Sequence, residues 1–187
     1  MTRPFDVLVA IVCLTLASPL LALAMLAIRI ESAGSPIYRQ RRVGKDGRPF
    51  EMFKLRTMVA GADSMTGDVP VTHDDPRVTR VGALLRRFSL DELPNLLNVL
   101  RGEMSIVGPR PTIESQVAAY DDRQRRRLEV KPGLTGWAQV NGRVALPWSE
   151  RIELDVWYVD HRSLWLDVRI LARTIGLLLS GRGLTTS

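Results

Sequence analysis

An uncharged apolar segment near the start of the chain limits what this sequence can fold into. Residues 7–28 contain no charged side chain, and their polar residues are Thr15 and Ser18. As a helix with a rise of about 1.5 Å per residue, this segment would be about 33 Å long, enough to cross the apolar core of a bilayer. Pro19 lies near its middle, where proline removes a backbone donor and bends a helix. Each half alone is too short to span a membrane.

Basic residues flank this segment on both sides. Arg3 precedes it, and Arg29, Arg39, Arg41 and Arg42 follow it. Because positively charged flanks prefer the cytoplasm, we predict that residues 1–30 form a re-entrant helix-break-helix hairpin with both ends on one face. The hydroxyl of Ser18 is expected to bond a carbonyl freed at the bend. A kinked spanning helix and a cleaved signal peptide are the alternatives.

The net charge and the small numbers of Cys and His residues limit the classes of function that this chain can have. The chain has 26 basic and 20 acidic residues, and its formal charge of +6 indicates anionic partners: nucleic acid, anionic lipid or phosphorylated substrates. All the basic residues except Lys45, Lys54 and Lys131 are arginine, which binds phosphate through a planar fork, although a codon bias would give the same excess. One Cys excludes a disulfide framework, and two His give little support to a zinc site or a Ser-His-Asp hydrolase.

The remaining residues, 31–187, predict a small α+β domain that is mostly helical. Two short runs around the turn Gly44-Lys45-Asp46-Gly47 predict a β-hairpin over residues 36–55, and residues 60–76 predict a flexible loop. Apolar periodicity predicts helices over residues 78–87, 90–100, 112–128, 149–159 and 164–179. Gly102 is the expected C-cap of the second of these helices, and Thr112 is the expected N-cap of the third. All four Trp lie in the last third of the chain, so the last helix is expected either to lie on a bilayer or to pack in the core.

An acidic pair, Asp91-Glu92, is the candidate centre of the chemistry. Its structural interpretation is a capping box, in which Ser89 and Glu92 close the first turn of a helix. Several cations argue for a functional interpretation. Arg110 lies between two prolines, and the other cationic candidates are Lys54, Arg56, Arg86 and Arg143. Carboxylates surrounded by such cations suggest phosphoryl chemistry, and oxygen ligands favour Mg²⁺ held by Asp91 and Glu92.

Several motifs together resemble a known family. They are Ser18-Pro19, Phe53-Lys54-Leu55-Arg56-Thr57-Met58, Ser89-Leu90-Asp91-Glu92-Leu93-Pro94, Asn98-Val99-Leu100, and the stretches 104–111 and 131–143. In this order they resemble the small monotopic phosphoglycosyl transferases, the bacterial sugar transferase family. The sequence departs from that pattern at Asn95, where Gln is usual, and at Glu103, where Asp is usual.

The resemblance implies transfer of a sugar 1-phosphate from a UDP-sugar to polyprenyl phosphate, with release of UMP, at the cytoplasmic face of the bacterial inner membrane. It implies that Asp91 is the nucleophile of a ping-pong mechanism and forms an acyl-phosphate intermediate. Glu92 would assist through Mg²⁺ or by deprotonating the lipid phosphate. Arg110, and with it Arg86 and Arg143, would hold phosphate oxygens, and Ser18-Pro19 would set the re-entrant bend.

A second hypothesis is a membrane-tethered basic protein that binds nucleic acid or anionic lipid without catalysis. Its binding would fall steeply with salt. The aromatic residues are not interleaved with the basic clusters as stacking platforms would be, so the sequence favours the enzyme and no nucleic-acid partner. The sugar, the glycan pathway and the oligomeric state stay open, and a homodimer paired through exposed helices is compatible with the sequence.

Overall fold

The computed structural model describes residues 2–62, 75–142 and 146–179. Most of the predicted loop over residues 60–76 falls outside these ranges. In chain order the elements are α1 (Arg3–Glu31), β1 (Ile37–Val43), β2 (Pro49–Leu55), α2 (Arg80–Arg87), α3 (Asn95–Arg101), β3 (Ser105–Val107), α4 (Glu114–Ala118), α5 (Asp122–Arg125), β4 (Gly133–Thr135), α6 (Trp137–Val140), α7 (Trp148–His161) and α8 (Leu164–Leu179). The described part is mostly helical, as the sequence predicts, and it contains two small two-stranded sheets: the predicted hairpin and a parallel pair, β3 with β4, that the sequence does not predict.

Helix α1 runs through Pro19 without the interruption that the sequence predicts. It is one helix of 29 residues. The backbone carbonyl that Pro19 leaves without its usual donor belongs to Thr15, four residues earlier. The hydroxyl of Ser18 donates to that carbonyl at 2.8 Å, as predicted. Because a neighbouring side chain replaces the missing bond, the helix continues where a break was expected.

Both ends of α1 contact the folded body. Near its start, the carboxylate of Asp6 is buried and accepts hydrogen bonds from the Ser105 hydroxyl at 2.8 Å and from the backbone N–H of Ile106 at 3.0 Å. At its end, Glu31 accepts the backbone N–H of Arg80, the first residue of α2, at 2.8 Å. These contacts hold the two ends of the apolar helix against one body.

The outer face of α1 is apolar and exposed. The helix is long and apolar enough to cross a membrane by length and composition, with a mean hydropathy of 2.6 over its most apolar window. Large exposed side chains recur at helical spacing along it: Leu8, Val12, Leu16, Leu20, Leu23 and Ile30. Leu16 leaves 76% of its surface uncovered. A stripe of this kind is consistent with association with a membrane.

The predicted β-hairpin is confirmed. Strands β1 and β2 pair antiparallel from Ile37 opposite Leu55 to Val43 opposite Pro49. The connection turns at Asp46, whose φ of 57° is in the left-handed region. Phe50 and Met52 of β2 enter the main core. The hairpin therefore forms one wall of the body, and Lys54 lies near the end of that wall.

Two predicted helices are divided into shorter pieces. The stretch 90–100 is a 3-10 turn over Leu90–Glu92 followed by α3. The predicted C-cap of this helix is confirmed, because Gly102 follows its last residue with a φ of 84°. The stretch 112–128 is α4, α5 and a 3-10 turn over Arg126–Glu129. The prediction that Thr112 caps one long helix is wrong, because Asp121 and Gln124 form a capping box that begins a separate helix.

The last two helices close the core. Helices α7 and α8 bring Tyr158, Leu166 and Ile170 onto residues of β2, α3 and β3. The opposite face of α8 exposes an apolar set that consists of Leu164, Trp165, Val168, Ile175 and Leu178. The core interpretation of the last helix is therefore confirmed for one of its faces. The other face is apolar and exposed, and its contact with a bilayer stays a prediction.

Candidate active site

The acidic pair lies in a tight turn between two helices rather than in a capped first turn. Ser89 has a φ of 55°, and its side chain makes no capping hydrogen bond. Asp91 and Glu92 are both buried. The capping-box interpretation is therefore wrong, because the Glu92 carboxylate points to other partners. A buried pair of carboxylates needs cations nearby, since burial of an unpaired charge is costly.

Glu92 is bound by two cations that come from distant parts of the chain. Its Oε1 accepts from Lys54 Nζ at 2.7 Å and from Arg110 Nη2 at 2.7 Å, and its Oε2 lies 3.5 Å from Arg110 Nη1. Burial would raise the pKa of this carboxyl, but the charges of Arg110 and Lys54 and their hydrogen bonds hold it well below its usual range. Glu92 is therefore ionised at neutral pH and a weak proton acceptor.

Asp91 has a different environment from its neighbour. Only 5% of its surface is exposed, and its Oδ1 is buried without a hydrogen-bond partner. Burial, followed by the negative charge of Glu92, raises its pKa to about 6, while the charges of Lys54, Arg86 and Arg110 oppose that rise. Adjacent carboxylates with pKa values displaced in opposite directions are typical of functional sites, because each can take a different role.

A tight crossing of two backbone segments positions Arg110. The N–H of Gly108 donates to the carbonyl of Thr135 at 2.9 Å, and the N–H of Gly133 donates to the carbonyl of Pro109 at 2.8 Å. A Cβ on Gly133 would lie 2.1 Å from the nitrogen of Gly108, so only glycine allows this approach. The two motifs at 104–111 and 131–143 thus brace each other, and Arg110 extends from the rigid crossing towards Glu92.

A buried ion pair supports the same loop from behind. Arg127 Nη2 donates to the backbone carbonyl of Arg110 at 2.9 Å and to Asp155 Oδ2 at 2.5 Å, and its Nη1 donates to the hydroxyl of Tyr120. Sequence reasoning missed the Arg127–Asp155 pair, which joins the 3-10 turn after α5 to α7. No local pattern identifies it, because the partners lie 28 residues apart.

The structure brings together most, but not all, of the predicted cationic residues. The pKa of Asp91 is lowered by the charges of Lys54, Arg86 and Arg110. Arg86 Nε also donates to the Thr57 hydroxyl at 2.9 Å. Arg56 lies elsewhere. Its guanidinium donates to the carbonyls of Ser32 and Ala33 just after α1, at 2.7 and 2.8 Å, so it links that loop to the hairpin. Its phosphate-binding role has no support in this geometry. Arg143 lies outside the described residues.

A pocket beside the ion pairs contains two side chains that sequence reasoning did not select. It is lined by Glu92 and Arg110 together with Arg42 and Asn95. Asn95 is buried, and its Oδ1 has no hydrogen-bond partner. The alternation of side chains along β1, which places Gln40 and Arg42 on one face of the strand, is the sequence signal that could have identified Arg42.

Comparison with known proteins identifies the family. The sequence pattern described as bacterial sugar transferase matches residues 1–181, so the chain belongs to that family of enzymes. The chain is 45% identical over 183 residues to the uncharacterized sugar transferase EpsL of Bacillus subtilis (strain 168), with 97% of this chain and 89% of the relative covered.

Two further relatives have names that describe a role. Identity is 42% over 195 residues to the exopolysaccharide production protein ExoY of Sinorhizobium fredii (strain NBRC 101917 / NGR234), with 97% of this chain and 86% of the relative covered. Identity is 44% over 191 residues to the UDP-glucose:undecaprenyl-phosphate glucose-1-phosphate transferase of Caulobacter vibrioides (strain ATCC 19089 / CIP 103742 / CB 15), with 95% of this chain and 69% of the relative covered.

The environment of Asp91 predicts an unusual titration. In protein labelled with ¹³C at the aspartate carboxyl carbon, the Asp91 signal, assigned by its loss in Asp91→Asn, should titrate near pH 6 instead of 3.8. Glu92→Gln should lower that midpoint, because it removes the neighbouring negative charge while Lys54 and Arg110 stay. A midpoint at the ordinary value in the unsubstituted protein, or a midpoint that rises in Glu92→Gln, would contradict this description.

Proposed function

We propose that this protein transfers a sugar 1-phosphate from a UDP-sugar to polyprenyl phosphate and releases UMP. One observation carries the proposal: Asp91 has a buried oxygen without a partner, directly beside a carboxylate that Lys54 and Arg110 already neutralise. Membership of the sugar transferase family and the printed activity of the Caulobacter relative support the same reaction. We assign the two substrate classes, UDP-sugar and lipid-linked phosphate, on the basis of that similarity.

In the first step, an oxygen of Asp91 attacks the phosphorus that carries the sugar. The bond between that phosphorus and the bridging oxygen breaks, and the electron pair leaves on the phosphate of UMP. The product is a mixed anhydride between Asp91 and the sugar phosphate. With a pKa of about 6, Asp91 is mostly ionised at neutral pH and is poorly solvated, two conditions that favour attack. Arg110 and Lys54 are placed to offset the charge of the diphosphate.

In the second step, an oxygen of the polyprenyl phosphate attacks the same phosphorus, and the bond to Asp91 breaks. The carboxylate of Asp91 is regenerated, so the two displacements share one site and proceed as a ping-pong sequence. Glu92 organises charge in this scheme: it holds Lys54 and Arg110 in fixed positions on either side. Proton removal by Glu92 gains no support from the geometry, because a strongly paired carboxylate is a weak base.

The same residues fit a Mg²⁺ ion. Asp91 Oδ1 has no partner, and Glu92 Oε2 has only the long contact of 3.5 Å with Arg110, so each carboxylate has an oxygen that could serve as a ligand. Mg²⁺ is commonly held by one or two carboxylates together with substrate phosphates. When bound, the ion would neutralise diphosphate charge.

The membrane arrangement follows from α1. A soluble donor and a lipid-linked acceptor must meet at a membrane surface, and the exposed apolar faces of α1 and α8 are suited to that surface. Because Asp6 and Glu31 bind the same body, both ends of α1 lie on its side of the membrane in this proposal. We place the protein as a monotopic protein at the cytoplasmic face of the bacterial inner membrane, with α1 entering and leaving that face as one helix that bends at Pro19 instead of breaking there. The proposed product would begin assembly of a membrane-linked glycan, for which an exopolysaccharide is the precedent among relatives.

Loss of the proposed nucleophile should abolish turnover. Asp91→Asn is expected to reduce sustained UMP release, measured with UDP-glucose, polyprenyl phosphate and Mg²⁺, by at least on the order of a thousandfold, as for other covalent nucleophiles. Asp122→Asn is the matched control, because Asp122 is an exposed aspartate on α5 and should keep full activity. Removal of Mg²⁺ with a chelator should also stop turnover. Activity retained by Asp91→Asn would refute the nucleophile, and salt-sensitive nucleic-acid binding without UMP release would favour a binding protein.

The topology makes a separate prediction. With Cys13 replaced by Ser, single cysteines at Thr2 and Ala33, both exposed, should react with a membrane-impermeant maleimide from the same side. We expect labelling in inverted membrane vesicles and protection in intact spheroplasts for both positions. Labelling of the two positions from opposite sides would establish a spanning helix and contradict the re-entrant arrangement, whatever the outcome of the activity measurements.

A further inference from the structure

A buried asparagine, Asn98, joins helix α3 to strand β2. Asn98 lies on α3, the helix that follows the acidic pair, and it is fully buried. Its Oδ1 accepts the backbone N–H of Phe53 at 3.1 Å, and its Nδ2 donates to the backbone carbonyl of Glu51 at 2.6 Å. The same Nδ2 also donates to Glu103 Oε2 at 2.7 Å. Both ends of this side-chain amide are therefore hydrogen-bonded.

The two backbone contacts of Asn98 take the place of a further strand beside β2. Along a strand, the carbonyl of one residue and the N–H of the residue two positions later face the same side. On β2 these groups belong to Glu51 and Phe53, and both bond the amide of Asn98. An asparagine side chain has the same donor and acceptor as a backbone peptide group. One side chain of α3 therefore extends the two-stranded sheet at this edge.

The segment that Asn98 bonds is the one that carries Lys54. Lys54 directly follows Phe53 on β2, and its Nζ donates to Glu92 Oε1 at 2.7 Å. Glu92 lies in the turn that leads into α3. Strand and helix are thus joined twice, once through Asn98 and once through the ion pair. A buried side chain with all its hydrogen bonds formed restricts the movement of the segments that it joins.

We propose that Asn98 is a positioning residue of the active site: by fixing α3 against β2, it holds Lys54 in the place beside the acidic pair that the reaction requires. The inference rests on the proposed transferase reaction for its effect on turnover. A lysine side chain is long and flexible, so the position of its strand decides which acceptor it reaches. Electrostatic stabilisation requires charges that are fixed before the reaction begins, and a displacement of about 1 Å can slow catalysis about a hundredfold.

The position of Lys54 also affects Asp91. The charge of Lys54 is one of those that lower the pKa of Asp91, against the effects of burial and of Glu92. If Asn98 holds Lys54 in place, loss of the amide lets the lysine move away, and the pKa of Asp91 rises. This consequence is measured without any substrate, so it tests the role of Asn98 independently of the reaction.

Titration of Asp91 in Asn98→Ala tests this role. The midpoint of the ¹³C-carboxyl signal of Asp91 should move to higher pH by at least about half a pH unit, because a nearby opposite charge commonly accounts for about one unit or more. Val99→Ala is the matched control. Val99 is the next residue of α3, is fully buried in the main core and has no polar side-chain atom. Its truncation should lower the melting temperature and leave the Asp91 midpoint unchanged.

A double-mutant cycle tests whether Asn98 acts through Lys54. Lys54→Met alone should raise the Asp91 midpoint, because it removes the charge. In the Lys54→Met protein, Asn98→Ala should then add little to the midpoint, so the two shifts are not additive. Asn98→Ser keeps a hydroxyl for one of the lost backbone partners and should give a smaller shift than Asn98→Ala. The serine variant carries the same test if the alanine variant does not fold.

Turnover gives a second measurement of the same role. UMP release is followed with UDP-glucose, polyprenyl phosphate and Mg²⁺, at a temperature where every variant is folded. Asn98→Ala should lower kcat by about tenfold to a hundredfold and should change KM by less, because a misplaced charge acts mainly on the transition state. Val99→Ala should keep the kcat of the parent protein.

The outcomes distinguish this role from the proposed reaction. An unchanged Asp91 midpoint in the folded Asn98 variants, or an equal shift in Val99→Ala, would overturn the positioning role even if Asp91 is confirmed as the nucleophile. Shifts that add fully in the double variant would also overturn it, because Asn98 would then act independently of Lys54. A shift that requires Lys54, together with full turnover in Asp91→Asn, would refute the proposed reaction and support the hold of Asn98 on Lys54.

Discussion

The ion pairs of Glu92 with Lys54 and Arg110 are the interaction on which the site depends. They join the end of β2, the turn before α3 and the loop after β3, three segments that are distant in sequence. Because one carboxylate takes up both cations, the adjacent carboxylate of Asp91 stays without a direct hydrogen bond at Oδ1. The two carboxylates therefore differ although both are buried: Glu92 forms the ion pairs, and Asp91 keeps an oxygen available for a reaction.

The rest of the fold supports this division. Glycines at 108 and 133 allow two backbones to cross closely enough to hold Arg110, and the buried Arg127–Asp155 pair supports the carbonyl of the same residue. Helix α1 belongs to the same unit rather than to a separate anchor, since Ala10 packs in the main core and Ala24 packs with Leu85. If α1 enters a membrane as proposed, its packing on the catalytic body would keep the site at a fixed height relative to the lipid surface.

The features that were predictable are those set by neighbours in sequence. The apolar segment, the hairpin around Asp46, the C-cap at Gly102 and the bond from Ser18 to Thr15 all depend on residues within a few positions. The continuity of α1 through proline was missed because one side-chain bond replaced the lost backbone bond. The strand around residue 54 also gives no local sign that Lys54 turns to the acidic pair while Arg56 turns to Ser32.

The spacing from Ser89 to Glu92 illustrates the limit most clearly. The same four residues suit a capping box and a turn whose buried carboxylate forms ion pairs. Lys54 and Arg110, which lie 38 and 18 residues from Glu92, decide between the two. Two other features could not be predicted for the same reason: the Arg127–Asp155 pair and the pocket lined by Arg42 and Arg110. In each of them the residues come from separate elements of the fold. Some residues of the site could be predicted from the sequence. The different roles of these residues could not, because those roles depend on tertiary contacts.

The central claim is that Asp91 carries the sugar phosphate during the reaction. Intact-protein mass spectrometry after incubation with UDP-glucose and Mg²⁺, without acceptor, measures it most directly. The account predicts a mass increase equal to one hexose phosphate, located by digestion to the peptide that contains Asp91, lost on addition of polyprenyl phosphate and absent in Asp91→Asn. An unmodified protein that nevertheless turns over when the acceptor is present, or an adduct on another residue, would contradict it.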